Sequence, residues 1–376
     1  MKVNFVDLKA QYMNIKGEID NVMQKVVNET AFIRGKYVSD FEKAYAQAYG
    51  VKNCISVANG TDAIYITLRM LEIGAGDEVI TVANSWISTS EVISQTGARP
   101  VFVDIEPDYY NIDVSKIEEK ITLKTKAILP VHLYGQPAKI DTIKKLCDKY
   151  RLYLVEDCAQ AHFAEYNGQK VGTFGIAGTF SFYPGKNLGA YGDAGAIITN
   201  DDELAKRLRM FANHGALIKH QHEIEGVNSR MDGLQAAILC AKLPYINVWN
   251  KSRYENALLY SELLKNIDGI ITPSIRSHSR HIFHLYVVRT KTRDHLQKYL
   301  QEYGIETSIH YPTALPFLKA YGYLGHSPED FPVAYQYQHE ILSLPMYPEL
   351  TAEQISYIAD KIRYYIEEKG VGKCAS

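Results

Sequence analysis

Between Cys54 and Val155 the chain alternates short apolar, β-branched runs with helical patterns, and no other feature restricts its fold so strongly. Cys54-Ile55-Ser56-Val57-Ala58, Val79-Ile80-Thr81-Val82, Pro100-Val101-Phe102-Val103, Ala127-Ile128-Leu129-Pro130-Val131 and Tyr153-Leu154-Val155 read as strands. Helices are expected between them, at Asp62 to Leu71, Ser88 to Gln95, Val114 to Ile121 and Asp141 to Tyr150. Such alternation argues for an α/β fold with a mostly parallel sheet between helices. Ligands in open α/β sheets collect at the carboxyl ends of the strands. Gly60 and Thr61, Trp86, and Asp157 with Gln160 fall at such ends.

The flanks are helical. Tyr12, Ile15, Ile19, Val22 and Val26 share one face over residues 11–28, and Ser39 with Glu42 reads as a capping box opening a second helix that Gly50 stops. Asp201 is placed to cap a helix running to Gly215. Beyond Pro244 a long helix should reach about Lys265, followed by strands at Phe283 to Val288 and Glu306 to Ile309. Helices are expected near Arg293 to Tyr303, Asp330 to Ile341 and Ala352 to Glu368, the last boxed by Thr351 and Gln354, with 371–376 as a frayed tail. The expected division is a large domain at 1–245 and a smaller C-terminal α+β domain at 246–376; 376 residues suffice for both cores.

A net charge of −2 with no basic run argues against nucleic acid or an anionic membrane as partner. No run approaches the ~18 apolar residues of a membrane span, and the N-terminus lacks a signal-peptide pattern, so a cytoplasmic protein is expected. Five scattered cysteines without C-x-x-C spacing suggest neither a disulfide framework nor a thiolate metal site. His220 and His222 lack a third ligand and read as a solvated loop. No metal is expected.

Lys186 stands apart. It lies between two strand signals, Thr179 to Phe182 and Gly195 to Thr199, in a loop carrying Pro184, Gly185, Gly189 and Gly192. A lone lysine in a turn is ordinarily solvated. One held by close-packed backbone between buried strands can be partly desolvated, which favours the neutral amine that attacks a carbonyl. Asp157, after an apolar strand, needs a cation if it is buried; its ordinary fates are a helix cap or an arginine partner. Gly60-Thr61, between strand and helix, points free N–H groups at an anion. Pyridoxal 5′-phosphate (PLP) needs all of these at once: an amine for its aldehyde, a carboxylate for its ring nitrogen, a flat side chain for its ring, and helix N–H groups with a hydroxyl such as Ser181 for its phosphate.

Residues 156–162 (EDCAQAH), 181–189 (SFYPGKNLG), 192–195 (GDAG) and 226–232 (GVNSRMD) resemble the signatures of the DegT/DnrJ/EryC1/StrS sugar aminotransferases, PLP enzymes of fold type I. The likeness extends from Phe5-Val6-Asp7-Leu8 to Leu344-Pro345-Met346; Ala194 stands where the family usually has glycine. The resemblance implies that Lys186 bonds the cofactor, Asp157 pairs with the ring nitrogen and Gln160 contacts the ring hydroxyl. Trp86 would stack on the ring, and Gly60, Thr61 and Ser181 would hold the phosphate. It implies a homodimer in which Asn228 reaches the neighbouring subunit's phosphate, and a substrate site using Tyr183, Arg230, His310 and Tyr311.

The implied reaction moves an amino group from L-glutamate to a nucleotide-linked keto-sugar. His310-Tyr311-Pro312, Tyr183 and Trp86 look like the enzymes aminating C3 of dTDP-3-keto-6-deoxyhexoses for surface glycans. A UDP-2-acetamido-3-keto sugar and a 4-keto sugar are alternatives, as is a PLP-binding regulator without catalysis. A nicotinamide-dependent Rossmann enzyme is disfavoured because Ala58-Asn59-Gly60-Thr61 is not a G-x-G-x-x-G turn.

Overall fold

The structure, a computed structural model, describes residues 1–368. Twelve strands are formed among them: β1 (Asn53–Val57), β2 (Glu78–Val82), β3 (Arg99–Val103), β4 (Thr125–Leu129), β5 (Tyr153–Asp157), β6 (Glu165–Tyr166), β7 (Gln169–Lys170), β8 (Ala177–Ser181), β9 (Gly195–Thr199), β10 (Ser279–Arg280), β11 (Tyr286–Arg289) and β12 (Ile341–Leu344). Seven make the central sheet, in the order β1-β9-β8-β5-β4-β2-β3. Neighbours run parallel except on the two sides of β9. The expected α/β sheet is therefore present. Every residue of β9 is buried, as continuous apolar strands covered on both faces should be.

Twelve α-helices pack around the strands: α1 (Leu8–Asn14), α2 (Lys16–Asn28), α3 (Lys36–Tyr49), α4 (Gly60–Met70), α5 (Ser88–Gln95), α6 (Ile140–Tyr150), α7 (Asp202–Phe211), α8 (Gly233–Lys242), α9 (Ile246–Leu264), α10 (Arg293–Glu302), α11 (Pro332–Tyr337) and α12 (Ala352–Glu368). The boundaries expected for α5 match, Asp201 caps α7 through the Leu204 N–H at 2.9 Å, and Thr351 and Gln354 form the box ahead of α12. The expected tail, with Cys374, lies outside the described residues.

Five expectations are corrected. The helix read over 11–28 is two, because Ile15 leaves helical geometry and Asp7 caps the first of them. α3 starts at Lys36 behind Gly35, whose φ of 79° suits glycine, so Ser39 lies inside the helix and caps nothing. Val114 to Ile121 forms two short 3-10 turns. The helix expected over Asp330 to Ile341 stops at Tyr337, and Ile341-Leu342-Ser343-Leu344 is a fully buried strand, whose short run, apolar but for Ser343, periodicity alone cannot separate from buried helix. Glu306 to Ile309, expected as a strand, contributes only the isolated pairing of Ser308 with Ser343.

Glu42, freed from its expected cap, serves the sheet. β1 is an edge strand, and its outward Ser56 N–H donates to Glu42 Oε1 at 2.9 Å while its Cys54 carbonyl accepts from Arg209 Nη2 at 2.6 Å. Glu42 and Arg209 are themselves paired. The ion pair occupies backbone groups that would otherwise template another strand.

In the C-terminal half, β11 and β12 pair antiparallel over a core of α9, α10 and α12 side chains including Tyr260, Leu296 and Ile358. Val3 joins this core and pairs with Ile305, so the N-terminal residues fold with the C-terminal half. α9 bridges the two cores: Ile246 and Trp249 pack with the sheet, Ala257 and Leu264 with the C-terminal elements.

Candidate active site

At the carboxyl ends of β1, β2, β5 and β8 lies a cavity of about 590 Å³. Ten of the twelve residues expected at the site line it: Gly60, Thr61, Trp86, Asp157, Gln160, Ser181, Tyr183, Lys186, His310 and Tyr311. Residues more than 250 positions apart thus meet in one space.

Lys186 hangs from a loop closed on itself by its own N–H to the Tyr183 carbonyl (2.8 Å) and by Ala190 N–H to Phe182 (2.8 Å). Asn187 anchors the next position: its amide donates to Asn250 Oδ1 at 2.8 Å and to the Ile282 carbonyl at 3.2 Å. Burial brings the Lys186 pKa from 10.5 down to about 8, against the opposing charge of Asp157. Roughly a tenth of the amine is then neutral at pH 7, far more than for an ordinary lysine, and the neutral form is the nucleophile.

Asp157, the last residue of β5, is 5% exposed. Its oxygens accept from Thr89 Oγ1 at 2.9 Å and from the Ala159 N–H at 3.0 Å, and Ser85 bonds Thr89 in turn at 2.9 Å. Burial raises its pKa, against these bonds and the Lys186 charge. No arginine or lysine forms an ion pair with it among the described residues. A buried carboxylate so placed calls for a cation within the cavity, and a protonated ring nitrogen is one. The alternative fates read from sequence, a structural arginine or a helix cap, do not apply.

α4 aims its N-terminus at the cavity. Asn59 caps it through the Asp62 N–H at 2.8 Å, leaving the first N–H groups free for an anion. Gly60 is required there, since a Cβ would stand 2.6 Å from Ser181 Cβ. Thr61 and Ser88 share a hydrogen bond of 2.7 Å, so three hydroxyls, with Ser181, gather around one helix end. These groups fit PLP as its needs were set out above.

On the far wall Gln160 is fixed by two bonds: its Oε1 accepts from Tyr134 N–H at 2.7 Å and its Nε2 donates to Tyr311 at 3.0 Å. Trp86 faces the Tyr311 ring at 5.7 Å. His310 bonds Ser343 at 2.9 Å, and burial lowers its pKa to about 4, so it is neutral at pH 7. Tyr183, 59% exposed, stands at the mouth.

Asn228 and Arg230 are not brought to this cavity. Asn228 is exposed and pairs with Asn213; Arg230 lines a separate groove with Arg34, Lys43, Lys52 and Arg209. Sequence reasoning missed Ser85, Ser88 and Thr89, although their position just after β2, at a strand's carboxyl end, was the available signal. His132, Glu156 and Cys158 also bring ligand atoms within 4.8 Å of one another. Glu156, however, is already satisfied by the N–H groups of Gly172, Phe174 and Gly175 and by His132.

Residues 13–363 match the DegT/DnrJ/EryC1/StrS aminotransferase family. The chain is 46% identical over 363 residues to the dTDP-3-amino-3,6-dideoxy-alpha-D-galactopyranose transaminase of Aneurinibacillus thermoaerophilus, covering 96% of this chain and 99% of that one. It is 44% identical to the pleiotropic regulatory protein of Geobacillus stearothermophilus (96% and 98%) and 41% identical to the UDP-N-acetyl-3-dehydro-alpha-D-glucosamine 3-aminotransferase of Acidithiobacillus ferrooxidans (96% and 97%). Among solved structures, S. venezuelae DesV superposes with a TM-score of 0.95 at 39% identity (97% and 99%). NtdA of Bacillus subtilis, solved with bound cofactor PMP, gives 0.89 at 32% (97% and 85%). The chain belongs to the DegT/DnrJ/EryC1/StrS aminotransferase family and is a PLP-dependent transaminase.

Proposed function

We propose that this enzyme transfers the amino group of L-glutamate to the keto group of a nucleotide-linked sugar, at C3 of a dTDP-3-keto-6-deoxyhexose, supplying an amino sugar for surface glycans. The observation that carries the reading is the meeting of a pKa-lowered Lys186 and a cation-seeking Asp157 in one cavity with a helix N-terminus.

When bound, PLP supplies an electron sink for the substrate carbon that loses its proton, and it carries the amino group between donor and acceptor. Lys186 Nζ would hold the aldehyde and, as a free amine, would take and return the proton at the reacting carbon. Holding that amine on a short loop makes the proton shift effectively intramolecular. Asp157 would keep the ring nitrogen protonated. Gly60, Thr61, Ser88 and Ser181 would hold the phosphate, and Gln160 with Trp86 would fix the ring. Neutral His310, with Tyr183 and Tyr311, suits the hydroxyls of a sugar.

The reading includes a cytoplasmic homodimer. The cavity's lining offers two carboxylates, Asp157 and Asp193, and one amine, so a diphosphate substrate finds no free cation there. Asn228 and Arg230, which lie outside it in their own chain, would complete the site from a second copy.

The name of the A. thermoaerophilus relative supports the dTDP-linked substrate; that of the A. ferrooxidans relative favours a UDP-linked 2-acetamido-3-keto sugar as second reading. Incubation with L-glutamate and a panel of dTDP- and UDP-linked 3-keto and 4-keto sugars, read by mass, separates them. Amination of a dTDP-3-keto sugar is expected. Failure to aminate any of the panel, with an absorbance band above about 400 nm that glutamate does not bleach, would favour a regulator that binds cofactor without this chemistry.

A further inference from the structure

Lys242 is a second lysine that the fold takes out of water. It ends α8 and is fully buried. Its ammonium donates to the Gly189 carbonyl at 2.7 Å and lies 4.4 Å from the centre of the Tyr191 ring. Gly189 and Tyr191 follow Lys186 by three and five residues. The chain doubles back tightly there, for a Cβ on Gly189 would stand 2.3 Å from the Pro184 carbonyl oxygen. Two turns earlier on α8, Gln235 accepts the Tyr191 N–H at 2.8 Å. One helix therefore grips the outgoing limb of the lysine loop at two points.

Burying an ammonium is costly unless hydrogen bonds and opposite charge offset it. Lys242 forms no ion pair among the described residues; Glu349 is the carboxylate whose charge it feels. An asparagine or a serine could satisfy one carbonyl at far lower cost. What the ammonium adds is a strong, charge-assisted bond reinforced by a ring face.

We propose that Lys242 is a positioning residue for transamination: by holding the Gly189 carbonyl while its ammonium sits over the Tyr191 ring, it sets the direction in which Lys186 enters the cavity. This rests on the role given to Lys186 above.

The test uses backbone hydrogen exchange in the cofactor-free protein together with kinetics of the loaded enzyme, for Lys242→Met and Lys242→Arg. In Lys242→Met the Lys186 and Ala190 amides should exchange at least about tenfold faster while α8 amides keep their rates. With cofactor, kcat should fall about 10- to 100-fold, the cost of a misplacement of about 1 Å, with KM for the keto-sugar within about twofold. Lys242→Arg should recover most of both losses. Wild-type exchange and wild-type kcat in Lys242→Met would overturn the proposal. Should that variant fail to fold, Tyr191→Leu decides: Tyr191 is 37% exposed, so its loss leaves the core intact, and unchanged loop exchange there overturns the proposal equally. A wild type that binds no cofactor sinks the function instead. An active wild type matched by Lys242→Met sinks only the positioning role.

Discussion

Replacing Lys186 by methionine should stabilise the cofactor-free protein, and the gain should depend on pH in a defined direction. The ammonium titrates at about 8 in the folded chain against an ordinary value of 10.5. At about 1.4 kcal/mol per pH unit, burying it charged costs about 3 kcal/mol. Below pH 8 both folded and unfolded chains carry the proton and the cost is felt in full. As pH rises past 8 the folded chain gives up its proton first, stability climbs, and by 10.5 the cost is gone. Methionine has a similar length and no charge. Urea unfolding of cofactor-free wild type and Lys186→Met should therefore differ by about 3 kcal/mol at pH 7, a midpoint shift of roughly 1 M at an m-value of about 3 kcal/mol/M. The difference should shrink steadily toward pH 10.5. A difference that is absent at pH 7, or that persists unchanged at high pH, would refute the assignment of Lys186 as a desolvated amine.

Gly60→Ala forces a Cβ to within 2.6 Å of Ser181; the overpacking should cost about 1–3 kcal/mol and weaken phosphate binding, seen as a lower Tm and a raised Kd for the cofactor. Asp157→Asn should bind the cofactor at least about 100-fold more weakly, since breaking a buried ion pair costs about 3–5 kcal/mol, without destabilising the cofactor-free protein, where burial already opposes the charge; fluorescence titration and a melting curve read the two. Glu42→Ala strips the Ser56 N–H and Arg209 of their partner and should cost about 1–3 kcal/mol with faster aggregation on mild heating, followed by light scattering.

The strand-helix alternation was legible because it is local: a buried strand announces itself in five residues. Lys186 and Asp157 each have an ordinary explanation taken singly, and their chemistry was legible only from their conjunction with Gly60-Thr61 and Ser181 and from the family motifs. The Thr89 and Ser85 bonds to Asp157 were not, since hydroxyls carry no pattern until β2 and β5 stand side by side. β12 was hidden because burial on both faces erases the alternation that marks a strand. Ser39 and Glu42 had the spacing of a cap, but Gly35 offered the helix an earlier start and the sheet edge claimed the glutamate. Arg230 followed from a motif, and a motif does not say which groove of the fold its side chain will line.

One covalent bond, from Lys186 to the cofactor, is decisive. Borohydride reduction of the PLP-loaded enzyme, followed by peptide mapping, should place the reduced cofactor on the peptide bearing Lys186, with no label in Lys186→Ala. Label on any other lysine, or none in a protein that is fully folded and saturated with cofactor, would contradict it.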